Sequence, residues 1–160
     1  MRYNWVDVLT IGIVATAAGI QFLRGTRSFS RILYETVLLI AGLIGATALY
    51  DPVHRLLGIS EPVAYLIVFV LLGAVAFLAG AGVNRLMPFA LGMFGHILSL
   101  GVGVACGWVF GHAILRMMVG IDNPQLHSAI RHSWMASQVL HFGAFIELLA
   151  MLRLARWHRI

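Results

Sequence analysis

A chain of 160 residues that is 61% hydrophobic and 11% charged is not an ordinary soluble domain, in which about a quarter of the residues carry charge. The net charge of +5 rests on eleven arginines with no lysine, and these fall in short loops and at the C-terminus rather than in a stripe interleaved with aromatics. That placement excludes nucleic acid as a partner and fits topology signals and contacts to anionic membrane lipids.

Uncharged windows measure the predicted spans. Sixteen uncharged residues separate Asp7 from Arg24. Nineteen residues separate Arg31 from Asp51, interrupted only by Glu35. Twenty-three lie between Glu61 and Arg85, and thirty between Arg85 and Arg116. A helix needs roughly 20 apolar residues to cross a ~30 Å hydrocarbon core, so four spans are expected. Ala15-Thr16-Ala17 has the small-x-small look of a signal-peptide cleavage site, but Asp7 breaks the positive leader such a peptide needs, and the segment reads as a retained helix. The basic turn 24–31, the Pro/Gly/Ser-rich stretch 50–62 and the break 84–88 are the expected connections. Pro88 suits the first turn of the fourth span. Spans one and two, and three and four, are then expected to form antiparallel hairpins.

After Gly120 the pattern changes. Asn123 reads as a helix cap with Pro124 in the first turn. Leu126, Ala129, Ile130, Trp134, Ala136 and Leu140 share one face, and His127, Ser128, Arg131, His132 and Gln138 the other. This is an amphipathic helix suited to the membrane interface. Residues 139–155 are apolar apart from His141, Glu147 and Arg153, and leave a fifth span and an interfacial helix both open. A fifth span would put seven arginines against four and place the C-terminus inside. The expected architecture is all-α: a four-helix transmembrane bundle over 1–120, an amphipathic helix over 121–138 and a further hydrophobic helix over 139–160.

The strongest pattern lies in the fourth span, where Gly95, Ser99, Gly103, Gly107 and Gly111 recur every four residues. Small residues at that spacing make a groove into which another backbone fits closely. Packing within the same bundle is the first reading, and a subunit interface or pore-lining face the second. Glu35 and Glu147 are intramembrane carboxylates. Glu35 lies near the end of its span and four residues from Arg31, which reads as a snorkelling or paired interfacial carboxylate. His96 and His112 are weak candidates for haem or pigment ligands, because sixteen residues of separation turn them about 160° apart on one helix. Lone Cys106, inside an apolar run, allows neither an internal disulfide nor a thiolate metal site. No phosphate loop, paired carboxylates or metal-ligand cluster stands out, so neither enzyme activity nor a cofactor is expected.

Asn4-Trp5-Val6-Asp7, Arg24-Gly25 followed by Arg27, and Leu91-Gly92 with Phe94-Gly95 resemble the motifs of the colicin V production protein family over residues 3–138. The resemblance implies a multi-pass protein of a bacterial inner membrane, linked to peptide-toxin export and envelope homeostasis; taken with the glycine stripe, it leads to the expectation of an accessory protein working as a homo-oligomer or with other membrane subunits. Trp5, Asp7, Arg24 and Gly25 are the positions it carries over. Asp7 would sit at the positive end of a helix dipole, Gly25 would permit the turn, and Arg24 would anchor it to headgroups. An oligomeric channel or transporter subunit, with Glu35 and the glycine face lining a path, is one alternative, and a membrane anchor bearing haem or pigment on His96 or His112 is the other.

Overall fold

The computed structural model describes residues 4–25, 28–89, 91 and 94–141. It is an all-α bundle. Helix α1 covers Trp5–Gly25, α2 Phe29–Leu57, α3 Glu61–Leu86 and α4 Phe94–Val119. A short α5, Pro124–Arg131, is followed by a helix over residues 134–141. The first four are long and apolar enough to cross a membrane, so the chain is a multi-pass membrane protein. Many of their large apolar side chains face outward, including Leu23, Val70, Leu78 and Ile97, as a lipid-facing surface requires.

The close pairs are not the two hairpins expected, of spans one with two and three with four. Helix α1 packs chiefly on α4, and α2 on α3, while α1 barely meets α2. The reason is small residues at matching positions. A Cβ added at Gly103 would lie 2.7 Å from Ala18 Cα, and one at Gly107 2.7 Å from Val14 Cα. One at Gly111 would touch Thr10 at 4.0 Å. The four-residue stripe of α4 therefore runs antiparallel against Thr10, Val14 and Ala18, a four-residue stripe of α1. In α2 and α3 the same device pairs Gly42 and Gly45 with Leu72, Gly73 with Leu39 and Gly80 with Glu35. Lipid tails are as apolar as leucine, so backbone proximity and dispersion replace the hydrophobic drive.

Two apolar clusters complete the core. Leu39, Leu43, Val68, Phe69 and Val109 fill the space between α2, α3 and α4. Val6, Leu115, Ile130, Ala136 and Val139 join the start of α1 and the end of α4 to the C-terminal helices.

Three connections differ from expectation. The predicted loop 50–62 is mostly helix: α2 runs through Pro52 to Leu57, and only Gly58, in the left-handed region at φ 64°, stops it. At 29 residues α2 is about 43 Å long, so its last turns, with the exposed Asp51–Arg55 ion pair, extend past the apolar core. Pro88 precedes α4 by six residues instead of opening it. The amphipathic helix expected over 121–138 is divided after Arg131. Ser133 starts a new helix there, its Oγ accepting from Ala136 N at 3.0 Å. Trp134, expected on the apolar face, is 71% exposed. Asn123 caps α5 as expected, accepting from Gln125 N at 3.0 Å and Leu126 N at 3.3 Å. Whether 139–155 forms a fifth span lies outside the described residues.

Leucine at Gly103 or Gly107 must push α1 off α4, and each substitution is expected to cost at least about 1–3 kcal/mol. Alanine at Gly101, where nothing lies within 4 Å, is expected to stabilise by up to about 1 kcal/mol. Thermal unfolding in detergent reads both, and equal effects at the three positions would sink the assigned α1–α4 contact.

Candidate functional site

The charged site forms where the end of α1 meets the start of α2. Glu35 is fully buried, with 0% of its side chain exposed. Leaving an ionised carboxylate unpaired there would cost several kcal/mol (order of magnitude), so compensating cations are obligatory. Two supply it. Arg24 Nη2 donates to Glu35 Oε2 at 2.8 Å and Oε1 at 3.0 Å, and Arg31 Nε donates to Oε1 at 2.7 Å. Arg31 is the partner that the spacing within α2 announces. Arg24 is not, and the bond it makes joins α1 to α2. Arg24 therefore turns inward to a carboxylate, in place of the headgroup anchoring expected of it, and Glu35 does not snorkel.

The network continues inward. Arg24 Nη1 donates to Gln21 Oε1 at 3.2 Å, and Gln21 Nε2 donates to Cys106 Sγ on α4 at 3.8 Å. Gln21 and Cys106 are both 3% exposed. Gly80 of α3 closes the other side: a Cβ there would sit 2.9 Å from Glu35 N and 3.0 Å from its Cα. One carboxylate thus gathers α1, α2 and α3, with α4 reached through Gln21. Beside it, Ser28 and Ser30 of the α2 start both donate to Asn84 Oδ1 of α3.

Gly25 has a role different from the expected turn. It is the last residue of α1, and the positive-φ glycine among the described residues is Gly58. A side chain at Gly25 would collide with Ser99 of α4, so it is the absence of a Cβ that matters. Asp7 also works elsewhere than on its own helix. Its Oδ1 accepts from Ser133 Oγ at 2.6 Å and from Met135 N at 2.9 Å, at the N-terminus of the 134–141 helix. Asn4 Nδ2 donates to the carbonyl of Ala129 in α5. Trp5, the remaining motif position, is half exposed at the start of α1.

At the opposite end of the bundle from Arg24, Arg116 ties α4 to the α2–α3 pair. It donates to Thr47 Oγ1 at 3.1 Å and lies 4.9 Å from the ring centroid of Tyr65 and 5.6 Å from that of Tyr50.

The glycine stripe is turned towards α1 and the C-terminal helix, with Gly111 3.6 Å from Val139 when given a Cβ. His96 and His112 are not brought together. His96 stacks obliquely on Phe22, ring centroids 5.8 Å apart, near the Arg24 end. His112 is buried near the other end, its Nδ1 3.4 Å from the Val139 carbonyl. No group of three His, Cys, Asp or Glu capable of holding a metal occurs among the described residues. Glu147 lies outside them.

A groove of about 680 Å³ opens to the lipid face between α1 and α3, floored by Cys106, Phe110 and Ile114 of α4. Arg24 and Gln21 stand at one end, and Leu9 and Val8 at the other. Sequence patterning missed Gln21, Gly80 and Arg116, and Asn84 passed as a break residue. Each makes a contact with a residue at least 45 positions away in the chain.

Comparison of the chain with models of known protein families, with characterised proteins and with solved structures found no match. The chemistry of the site therefore rests on its own residues.

Glu35→Gln removes the charge that both arginines answer and is expected to cost about 1.5–3 kcal/mol, the range for hydrogen bonds to charged groups. Arg24→Gln should overlap with it, so the double variant loses clearly less than the sum. Unfolding in detergent measures the coupling. Additive losses would mean that the ion pair does not join the helices.

Proposed function

We propose that this chain is a non-enzymatic accessory protein of a bacterial inner membrane, of the colicin V production type. It would serve toxin export or envelope homeostasis as a homo-oligomer or as a small subunit of a larger membrane assembly. The supporting observation is the use made of the polar motif residues. Asn4 and Asp7 bind α1 to the C-terminal helices, and Arg24 binds it to α2. Polar groups in a bilayer are expensive, and here they are engaged in holding helices in place. That suits a shaped membrane surface offered to partners.

The channel reading asks Glu35 and the glycine face to line a path. Glu35 is sealed between two arginines and the stripe faces α1, so this reading gains no support from the geometry.

Gentle detergent extraction, with native mass spectrometry and an absorption spectrum on one sample, tests the proposal. A colourless protein held in a homo-oligomer or with another membrane protein is expected, and Arg24→Gln should reduce recovery of that assembly. A partnerless monomer, from cells whose envelope is unchanged by deletion of the gene, would overturn the proposal. A haem or pigment band would replace it with the membrane-anchor reading on His96 or His112.

A further inference from the structure

We infer that the groove between α1 and α3 is a binding site for one anionic phospholipid, with an acyl chain along α1 and the headgroup phosphate at Arg24. The site does not depend on the proposed accessory function, although both involve Arg24.

The first is charge. Arg24 and Arg31 share the single carboxylate of Glu35, which leaves the cluster one net positive charge. A guanidinium has five N–H donors. Arg24 commits Nη2 to Glu35 and one hydrogen of Nη1 to Gln21, which leaves Nε–H and the second Nη1 hydrogen for another acceptor. Its side chain is 36% exposed and lines the groove. A phosphate, with several acceptor oxygens in fixed geometry, matches what remains.

The second is depth. Arg24 is in the last turn of α1, at headgroup level for a span of 21 residues. From Arg24 the groove follows α1 past Ile20, Thr16 and Ile13 to Leu9, about 22 Å of helix. One leaflet is roughly 15 Å deep, so an acyl chain starting at Arg24 stays within the groove.

The third concerns what else could cover it. The C-terminal helix over 134–141 shares an apolar cluster with Leu115, against which Trp108 packs, and the Val139 carbonyl meets His112. At 100° per residue these positions project roughly 100–180° away from Cys106, Phe110 and Ile114. The chain therefore leaves residue 141 on the side of α4 opposite the groove. Among the described residues the α1 and α3 backbones do not approach each other closely, so no helix packing closes the gap between them.

The test is native mass spectrometry of the full chain released from bilayers of equal phosphatidylglycerol and phosphatidylcholine, counting retained lipid. One retained lipid is expected, with phosphatidylglycerol favoured about fivefold, the effect of one net cation near the surface. Arg24→Gln should erase that preference. Because Arg24 also holds Glu35, a second variant is needed. Thr16→Trp fills the groove from an exposed position and should abolish retention, while Ala15→Trp, exposed on the neighbouring face, should not. Equal retention of the two lipids, or retention unaffected by Thr16→Trp, would overturn the inference. So would a dimer that Thr16→Trp breaks, which would give the groove to a second copy. Lipid binding that appears only after truncation at residue 141 would give it to the chain's own C-terminal segment.

Discussion

A carboxylate with no exposed surface sets the terms for one end of this bundle. Glu35 sits in α2, yet its charge is tolerable only if Arg24 arrives from α1 and Arg31 from the preceding turn. Nor can it fit there unless α3 presents a residue without a side chain, which Gly80 does. Three helices are thereby fixed in rotation about one oxygen pair. Buried ion pairs contribute little net stability, because desolvation offsets most of the attraction. Their effect is on arrangement: any other rotation of α1 would leave Glu35 short of a cation and Arg24 facing hydrocarbon.

The other ends of the helices are set by milder polar ties of the same kind. Asp7 holds the N-terminus of the 134–141 helix, and Arg116 reaches across from α4 to Thr47, Tyr50 and Tyr65. Between these ends the contacts are close-packed. Gly103 and Gly107 let α4 approach the α1 backbone, and Gly42 and Gly73 do the same for α2 and α3. Polar ties at both ends and small residues between them leave little need for large buried side chains. This explains how a bundle with so many exposed apolar groups has a defined interior.

One consequence is the groove. Pairing α1 with α4 and α2 with α3 joins the pairs through α2 and α4 and leaves α1 and α3 apart. The gap opens to lipid, and Arg24, half occupied by Glu35, stands at its mouth. The geometry that neutralises the buried carboxylate thus also exposes the unused donors of one guanidinium to the membrane.

By itself the sequence determined what depends on local composition and periodicity. The charge-free windows delimited four spanning helices, the four-residue repeat marked the close-contact face of α4, Asn123-Pro124 marked a helix start, and Arg31 announced itself four residues before Glu35. Each of these is a relation between near neighbours. Only the tertiary structure decided which helices pair, because a small-residue stripe states that a backbone will come close without stating whose. It decided that Gly25 serves contact with Ser99, that Asp7 caps a helix 126 residues away, and that Arg24 belongs to Glu35. These are relations between groups far apart in the chain. In a lipid solvent with no hydrophobic drive between helices, they are set by which polar and small groups meet, and no local pattern encodes that meeting.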